Sequence, residues 1–432
     1  MSSYDPWQTT FYFSLLSNAV SGQFLTIKLG DRIDFPALLK EAAAEAQATL
    51  TTQLKQDFAG AILENNTANP PPLGANDWTT VWGPQVFVIP PEFHSINWLT
   101  HSVKCNATNA MAVVFSPSLQ RYIVAIAATN FVSAYDWLIE DFNVKSVVAW
   151  EGALQAWAGN KNATSPSSKI PCISSATNTG ITNLLAMTDT VITHQSLIDF
   201  LASVDSSGCT LTFTGHSLAG ALSPTLAMAA FDPTAGLLKN STWTVEQAQA
   251  YPTAGATPGN GPFAQLFNGA GFGGSNGTQP WQLWNTDLYN YLDIVPRAWN
   301  KELLTALPPI YKAYYDDLTV LDATIKVALA DAALGELVAG PYTSINRAGL
   351  NGETSADAAN EFAYQYTVTI DNNMSAATAT ELMTLPQAAQ STQSPTDKTD
   401  ISWPSQLLFQ HTKAYSELIL GEGPTPSKSG NG

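Results

Sequence analysis

The chain has 432 residues, of which 45% are hydrophobic and 10% aromatic, so it can bury a large core and does not read as a disordered protein. Its formal net charge is −17, from 35 acidic and 18 basic side chains. Because a negative surface repels phosphates, this charge disfavours nucleic acids and anionic lipid headgroups as partners and favours a neutral or weakly polar substrate.

The cysteine count and the apolar runs exclude two further classes of protein. Three cysteines, Cys105, Cys172 and Cys209, allow at most one disulfide, so a disulfide scaffold is not implied. No apolar run approaches the roughly 20 residues that a membrane-spanning helix needs. The first residues, "MSSYDPWQTT", lack a basic start followed by an apolar run, so no signal peptide is visible. The compartment stays open between the cytoplasm and a mature secreted form.

The N-terminal part of the chain is expected to form a helical extension. Asp34 is a candidate N-cap with Pro36 in the first turn, and the Ala/Leu/Glu/Gln-rich run after it predicts a helix over residues 34–64. Residues 66–77, "NTANPPPLGAND", form a Pro/Gly-rich connector. We expect residues 1–100 to be an extension that packs on the main domain.

From about residue 100 the pattern changes to that of a sheet covered by helices. "MAVVF" and "RYIVAIAAT" are predicted strands joined by the turn "SPSLQ". A predicted helix over residues 183–204 precedes a strand at 210–214, and a second helix follows that strand. Strand and helix in alternation indicate an α/β fold with a mainly parallel sheet, and near-continuous apolar strands indicate burial on both faces.

Residues 301–400 give a mixed signal. A helical run covers about 316–339, "FAYQYTVTI" resembles a strand, and residues 384–400 are rich in Ser, Thr, Gln and Pro. The last residues, 426–432, are expected to be a flexible tail.

The joint between the predicted strand at 210–214 and its helix carries a candidate nucleophile, Ser217. A serine on a sharp strand-to-helix turn needs small residues two positions before and after it, and these are Gly215 and Ala219, with Gly220 giving further room. Pro224 is less expected, because proline inside a helix removes a backbone donor. The alternative is that Ser217 only caps an ordinary helix.

The histidines restrict the choice of a catalytic base. In α/β-hydrolases the order along the chain is Ser, acid, His. The sequence has five histidines: His94, His101, His194, His216 and His411. Only His411 lies clearly downstream of Ser217, so His411 must be the base if Ser217 is catalytic. A packed or surface role for His411 is the alternative.

The acid has to lie between the serine and this histidine. Asp293 is the best candidate, because it follows the apolar "LYNYL" and precedes Ile-Val-Pro, where a loop leaves a sheet edge. Its role would be to orient His411 and to stabilise the imidazolium. The alternative is a surface carboxylate at the end of a strand.

Several blocks in the same order resemble the class 3 lipase family, which comprises fungal-type lipases and related feruloyl esterases. They are "TGHSLAGAL" (214–222), "TAGATPGNGPFA" (253–264), "DIVP" (293–296), and His411 followed by Tyr415. The resemblance covers about 105–300 and 405–420. It implies an α/β-hydrolase fold with Ser217 as nucleophile, Asp293 as acid and His411 as base, and a long insertion, about 301–400, before the histidine.

The family's oxyanion segment, V-x-F-R-G-[ST], is matched less well. Ala127 and Ala128 replace its Arg and Gly, whereas the apolar strand and the Thr are kept. The resemblance implies an oxyanion hole formed by Thr129, through its backbone N–H and hydroxyl, and by the backbone N–H of Leu218. The register leaves Asn130 as the alternative to Thr129.

The resemblance also implies a cover over the site. Residues 130–138 would form the lid, and Phe131, Tyr135, Trp137 and the elbow's own His216 are candidates for contact with the substrate. The insertion at about 301–400 is a candidate second cover. The hydrolase domain would then span residues 101–425.

The sequence therefore predicts a serine carboxylic-ester hydrolase that acts on acylglycerols or other apolar esters, with feruloyl-type esters as a further option. The mechanism requires neither a metal nor an organic cofactor. Two other functions stay open, a non-catalytic protein that binds acyl lipids or a protein partner, and an acyltransferase. The replacements at Ala127, Ala128 and Ala219 favour the first of these. The oligomeric state is not indicated.

Overall fold

The computed structural model describes residues 3–20, 23–29, 34–128, 144–160, 164–307, 319–353 and 403–421. Among the sequence-based expectations, Thr129, Asn130, Phe131, Tyr135 and Trp137 lie outside these ranges, as do the strand-like "FAYQYTVTI" and the segment 384–400.

The strands are numbered in chain order within the described residues. They are β1 Phe24–Lys28, β2 Thr79–Phe87, β3 Ser102–Asn106, β4 Asn109–Ser116, β5 Arg121–Ala128, β6 Val147–Ala149, β7 Cys172–Ser174, β8 Thr210–His216, β9 Ala248–Thr253, β10 Asp287–Asn290 and β11 Arg347–Leu350.

The α-helices are numbered in the same way. They are α1 Pro6–Ser17, α2 Phe35–Thr67, α3 Trp150–Trp157, α4 Ser175–Ala186, α5 Leu197–Ser203, α6 Leu218–Phe231, α7 Gly261–Asn268, α8 Lys301–Thr305, α9 Thr319–Ala339, α10 Trp403–His411 and α11 Lys413–Tyr415. A π-helical turn, Ser416–Leu420, follows α11. In the described part of the chain, no helix combines the length and apolar character that a membrane crossing requires.

A seven-stranded sheet in the order β11-β10-β9-β8-β5-β4-β2 forms the centre of the described structure. Neighbours from β5 to β11 run parallel, whereas β4 and β2 are added antiparallel at one edge. The pairing of β4 with β5 around a short turn confirms the predicted hairpin. The mainly parallel sheet flanked by helices confirms the predicted fold class.

Helices cover the sheet on both faces, and the buried side chains of the central strands point alternately to the two layers of helices. On β4 and β5, successive buried side chains belong alternately to two different apolar clusters. One cluster joins the sheet to α1 and α2, and it includes Ala110, Ala112, Val114, Ile123, Ala125 and Ala127. The other joins the sheet to α4, α5, α6 and α7, and it includes Met111, Val113, Val124, Ile126 and Ala128. Burial on both faces accounts for the nearly continuous apolar strands.

The N-terminal helix predicted at 34–64 is confirmed as α2. The Asp34 carboxylate accepts a hydrogen bond from Ala37 N at 3.2 Å, and Pro36 occupies the first turn. Strand β2, however, lies before residue 100 and pairs with β4 in the central sheet. The sheet therefore begins inside the stretch that the sequence analysis assigned to the extension.

The single helix predicted over residues 183–204 is wrong, because the chain forms two helices with a loop between them. Helix α4 ends at Ala186 and α5 begins at Leu197, with Ser196 as its N-cap. The buried Asp189 carboxylate accepts bonds from the backbone N–H groups of Val191, Ile192 and Thr193, which holds the loop in a compact turn. Asp and Thr side chains compete in this way with helical backbone bonds.

Candidate active site

Ser217 stands between the end of β8 and the start of α6, as the sequence predicted. Its backbone has φ 66° and ψ −130°, a region that a residue with a side chain rarely occupies, and its own side chain makes no cap bond to the helix. The Ser217 N–H instead donates to the carbonyl of Thr253, at the end of β9, over 3.0 Å. The strained turn thus directs the hydroxyl away from the helix terminus, so Ser217 is not an ordinary N-cap.

Two close backbone approaches explain the small residues around the serine. A Cβ on Gly215 would lie 2.4 Å from the carbonyl oxygen of Ala219, so the methyl of Ala219 is tolerated because position 215 has none. A Cβ on Gly220 would lie 2.5 Å from the carbonyl oxygen of Thr253 and 2.7 Å from Cα of Gly255. Gly220 therefore allows the first turn of α6 to cross directly over the end of β9.

Three side chains that are far apart in the sequence meet at this turn. The Ser217 Oγ lies 2.7 Å from His411 Nε2, and His411 Nδ1 lies 2.8 Å from Asp293 Oδ2. The side chains of His411 and Asp293 have no exposed surface, and Ser217 is only 7% exposed. Since a carboxylate can only accept, His411 carries its proton on Nδ1, and Nε2 accepts the hydrogen bond of the Ser217 hydroxyl.

The Asp293 carboxylate is held by two further donors. Val295 N–H donates to Oδ1 at 3.0 Å, and the Tyr415 hydroxyl donates to Oδ2 at 2.9 Å. The same hydroxyl accepts from the backbone N–H of Asn290 at 2.8 Å. Burial, together with the nearby Asp293 charge, raises the pKa of Tyr415 well above its ordinary value, so it remains a donor. These contacts fix the direction in which Asp293 meets the imidazole.

His216 lies behind the site and is only 4% exposed. Its Nε2 contacts the backbone carbonyl oxygen of His411 at 2.7 Å, and its Nδ1 contacts Thr253 Oγ1 at 2.9 Å. Burial, and to a lesser degree the neighbouring His411, lowers the pKa of His216 to about 3. Both ring nitrogens are occupied by protein groups, which leaves none for the substrate contact expected from the sequence.

A second buried carboxylate, Asp287, lies at the start of β10. Its Oδ1 accepts from Gly255 N at 2.9 Å. Burial raises the pKa of Asp287 to about 7; the nearby Arg347 opposes this rise and Asp293 adds to it. The sequence analysis missed Asp287, because a carboxylate just before the apolar run "LYNYL" (288–292) belongs to no motif of its own.

The structure also places Leu218, the expected oxyanion donor, as the first residue of α6. At this position a backbone N–H has no acceptor within its own helix. The expectations for Thr129, Asn130, Phe131, Tyr135 and Trp137 fall outside the described residues. Thr253 was missed as a contributor to the site, although it opens the "TAGATPGNGPFA" block that carried the resemblance.

Comparison with known proteins finds similarity in structure only. No protein-family model matches the chain, and no curated protein sequence matches it. The similar solved structures include M37 lipase, with 22% identity over 97% of this chain and 93% of that chain and a TM-score of 0.61. They also include lipase II from Rhizopus niveus, with 12% identity over 65% and 79% of the two chains and a TM-score of 0.34.

A third similar structure is the triacylglyceride lipase of Rhizomucor miehei, with 11% identity over 63% and 76% of the two chains and a TM-score of 0.30. Of these likenesses, the one to M37 lipase extends over nearly the full length of both chains. Together with the central sheet and the strand–turn–helix that presents Ser217, it shows the fold: the chain is an α/β-hydrolase in its architecture.

Proposed function

We propose that the chain is a serine carboxylic-ester hydrolase of the class 3 lipase family, with Ser217, His411 and Asp293 as its catalytic triad. The observation that carries the proposal is the buried chain of hydrogen bonds from Ser217 Oγ through His411 to Asp293. Its nucleophile stands on a strained turn at the C-terminal end of a central parallel strand. The motif blocks and the fold shared with M37 lipase support the same assignment.

In the first half of the reaction, Ser217 Oγ attacks the ester carbonyl carbon while His411 Nε2 takes the hydroxyl proton. Asp293 accepts the Nδ1–H bond and stabilises the imidazolium that forms. The carbonyl oxygen becomes an oxyanion, and Leu218 N–H, at the positive end of the α6 dipole, is the described donor that would face it. The alkoxide then leaves with the proton of His411, and an acyl-enzyme remains.

The second half repeats these roles with water as the nucleophile. His411 Nε2 takes a proton from water as its oxygen attacks the acyl carbon, and the same proton returns to Ser217 Oγ when the acid is released. The proton donors and acceptors in these steps are groups of the chain, the ester and water. The net change is one ester and one water converted to a carboxylic acid and an alcohol.

We propose carboxylic esters with an apolar acyl or aryl part as substrates, acylglycerols foremost. The net charge of −17 disfavours strongly anionic substrates. The similar structure that spans nearly the whole chain, M37 lipase, is named as a lipase, which agrees with this proposal.

The test is hydrolysis of p-nitrophenyl esters of graded chain length by the wild type and by Ser217→Ala, with fluorophosphonate labelling read by peptide mass. Removal of a triad serine should lower kcat by about 10⁴- to 10⁶-fold, because the acyl-enzyme no longer forms. The label should be found on the peptide that contains Ser217.

Ser223→Ala is the matched control. Ser223 lies on the same helix, is buried, and its Oγ has no hydrogen-bond partner among the described residues, so its loss should leave hydrolysis nearly unchanged. Equally slow hydrolysis by the wild type and by Ser217→Ala would refute the proposed enzymatic function and favour a lipid-binding protein. An ester product formed when an added alcohol competes with water would identify an acyltransferase.

A further inference from the structure

We infer that His216 is a positioning residue for the catalytic base: its Nε2–H holds the backbone carbonyl of His411 and thereby keeps the His411 imidazole in line with Ser217. This inference rests on the proposed function and adds to it a residue that touches neither substrate nor reacting atoms. The expectation from the sequence was a substrate contact, and the structure supports a different role.

The hydrogen-bond partners fix the tautomer of His216. A carbonyl oxygen only accepts, so the 2.7 Å contact to His411 O requires a proton on Nε2. The pKa of about 3 means that the ring is neutral at ordinary pH, so Nδ1 has no proton and accepts from Thr253 Oγ1 at 2.9 Å. A chain of directed bonds therefore runs from Thr253, on β9, through His216, on β8, to the backbone of His411.

The carbonyl of His411 needs such a partner because of its place in the chain. His411 is the last residue of α10, and the final carbonyls of a helix lack intrahelical donors. The preceding carbonyl, that of Gln410, is met by Asn290 Nδ2 at 3.1 Å. The side chains of Asn290 and His216 thus donate to the successive carbonyls of Gln410 and His411, where the chain presents the imidazole, and the contact of His216 is with the base itself.

The surroundings of His216 keep it neutral and fixed. Its ring centroid lies 5.1 Å from that of His411, 4.9 Å from that of Tyr415 and 6.0 Å from that of Phe11. During the reaction His411 becomes an imidazolium, and a second positive charge at this distance would oppose that step. The neutral imidazole of His216 holds the base without this repulsion. A lysine or arginine at position 216 would introduce it, because either side chain carries a positive charge.

The experiment separates the two nitrogens of His216. The amide nitrogen of Gln reaches about as far as Nε2, so His216→Gln retains a donor for the His411 carbonyl. The side chain of Asn reaches only as far as Nδ1, so His216→Asn retains a partner for Thr253 and loses that donor. His216→Leu removes both. We expect kcat for a short soluble ester to fall about 10- to 100-fold in the Asn and Leu variants and only a few-fold in Gln, with KM changed less than about twofold in all three.

A second measurement does not depend on activity. Hydrogen–deuterium exchange of backbone amides in the peptide that covers residues 407–415 should be faster in the Asn and Leu variants than in the wild type and in Gln. Equal kcat in the Asn and Gln variants, or wild-type kcat in Leu, would overturn the inference while leaving the hydrolase intact. An inactive wild type would instead refute the proposed function, and unchanged exchange in the Leu variant would then refute the positioning role as well.

Discussion

At the scale of single residues, Tyr415 illustrates how the site depends on groups that do not react. Its hydroxyl donates to Asp293 Oδ2 and accepts from Asn290 N, so one oxygen joins the acid to the strand β10 that precedes it. The residue is fully buried, and water has no access to replace either bond. Loss of the Tyr415 hydroxyl should therefore lower kcat as well as the stability of the fold.

For Tyr415→Phe we expect kcat to fall roughly 10-fold, equivalent to about 1.4 kcal/mol of transition-state stabilisation, with little change in KM. The reason is that Asp293 loses one of its donors and can turn away from His411, while Asn290 N–H loses its acceptor. Steady-state kinetics on a soluble ester measures this. Tyr12→Phe, which removes a buried hydroxyl on α1, is the control, and an equal effect there would argue against a specific role of Tyr415.

Residue types and order along the chain were enough to predict which side chains meet. Ser217, Asp293 and His411 were predicted from an elbow pattern, a strand exit and the order of the histidines, and the structure brings the three together. Their catalytic role stays a proposal. The supporting groups were harder to predict. The roles of Thr253 and Asp287 depend on hydrogen bonds to residues that are distant in the sequence, His216 and Gly255.

At the scale of elements, the crossing of α6 over β9 determines where the nucleophile stands. Gly220 allows that crossing, since a side chain there would meet the backbone of Thr253 and Gly255 rather than a movable side chain. Thr253 is also the acceptor for Ser217 N–H and the donor to His216. Any separation of α6 from β9 would therefore displace the serine and the support of the base together.

Gly220→Ala should destabilise the protein by about 1–3 kcal/mol and lower kcat strongly, because the added methyl has to separate two backbones. Thermal and urea unfolding, with ester hydrolysis alongside, measure both effects. Gly60→Ala is the matched control: Gly60 is exposed in α2, a Cβ there meets nothing within 4 Å, and the substitution should stabilise by about 0.5–1 kcal/mol. Similar results for the two variants would contradict this account of the crossing.

Elements with a clear period were predictable, and elements defined by a local side-chain contact were not. The hairpin of β4 and β5 and the long α2 follow from apolar runs and a capped, Ala-rich segment. The break between α4 and α5 depends on Asp189 binding three consecutive backbone N–H groups. Such a turn competes with a helix on nearly equal terms, so periodicity alone could not decide it.

At the scale of the whole molecule, two buried titratable groups should make stability depend on pH in opposite directions. The pKa of His216 is about 3, below its usual 6.5, so its contribution is lost as pH falls from about 6.5 towards 3. The pKa of Asp287 is about 7, above its usual 3.8, so its contribution is present at low pH and is lost as pH rises from about 4 to 7. Opposed slopes of this kind favour a flat optimum in mildly acidic solution.

Asp287→Asn isolates one of these slopes, because an amide never ionises and its oxygen still accepts from Gly255 N. We expect the free energy of unfolding of the variant, minus that of the wild type, to increase from pH 5 to pH 8. The slope of this increase should be at most about 1.4 kcal/mol per pH unit. The cause is that the wild type has to ionise a buried carboxyl, near Asp293, as pH rises through about 7. Urea unfolding at both pH values measures the difference, and Glu302→Gln, which neutralises an exposed carboxylate, matches the change in net charge. A difference from the wild type that does not change with pH would mean that Asp287 is already ionised at pH 5, and that Arg347 stabilises its charge more than burial opposes it.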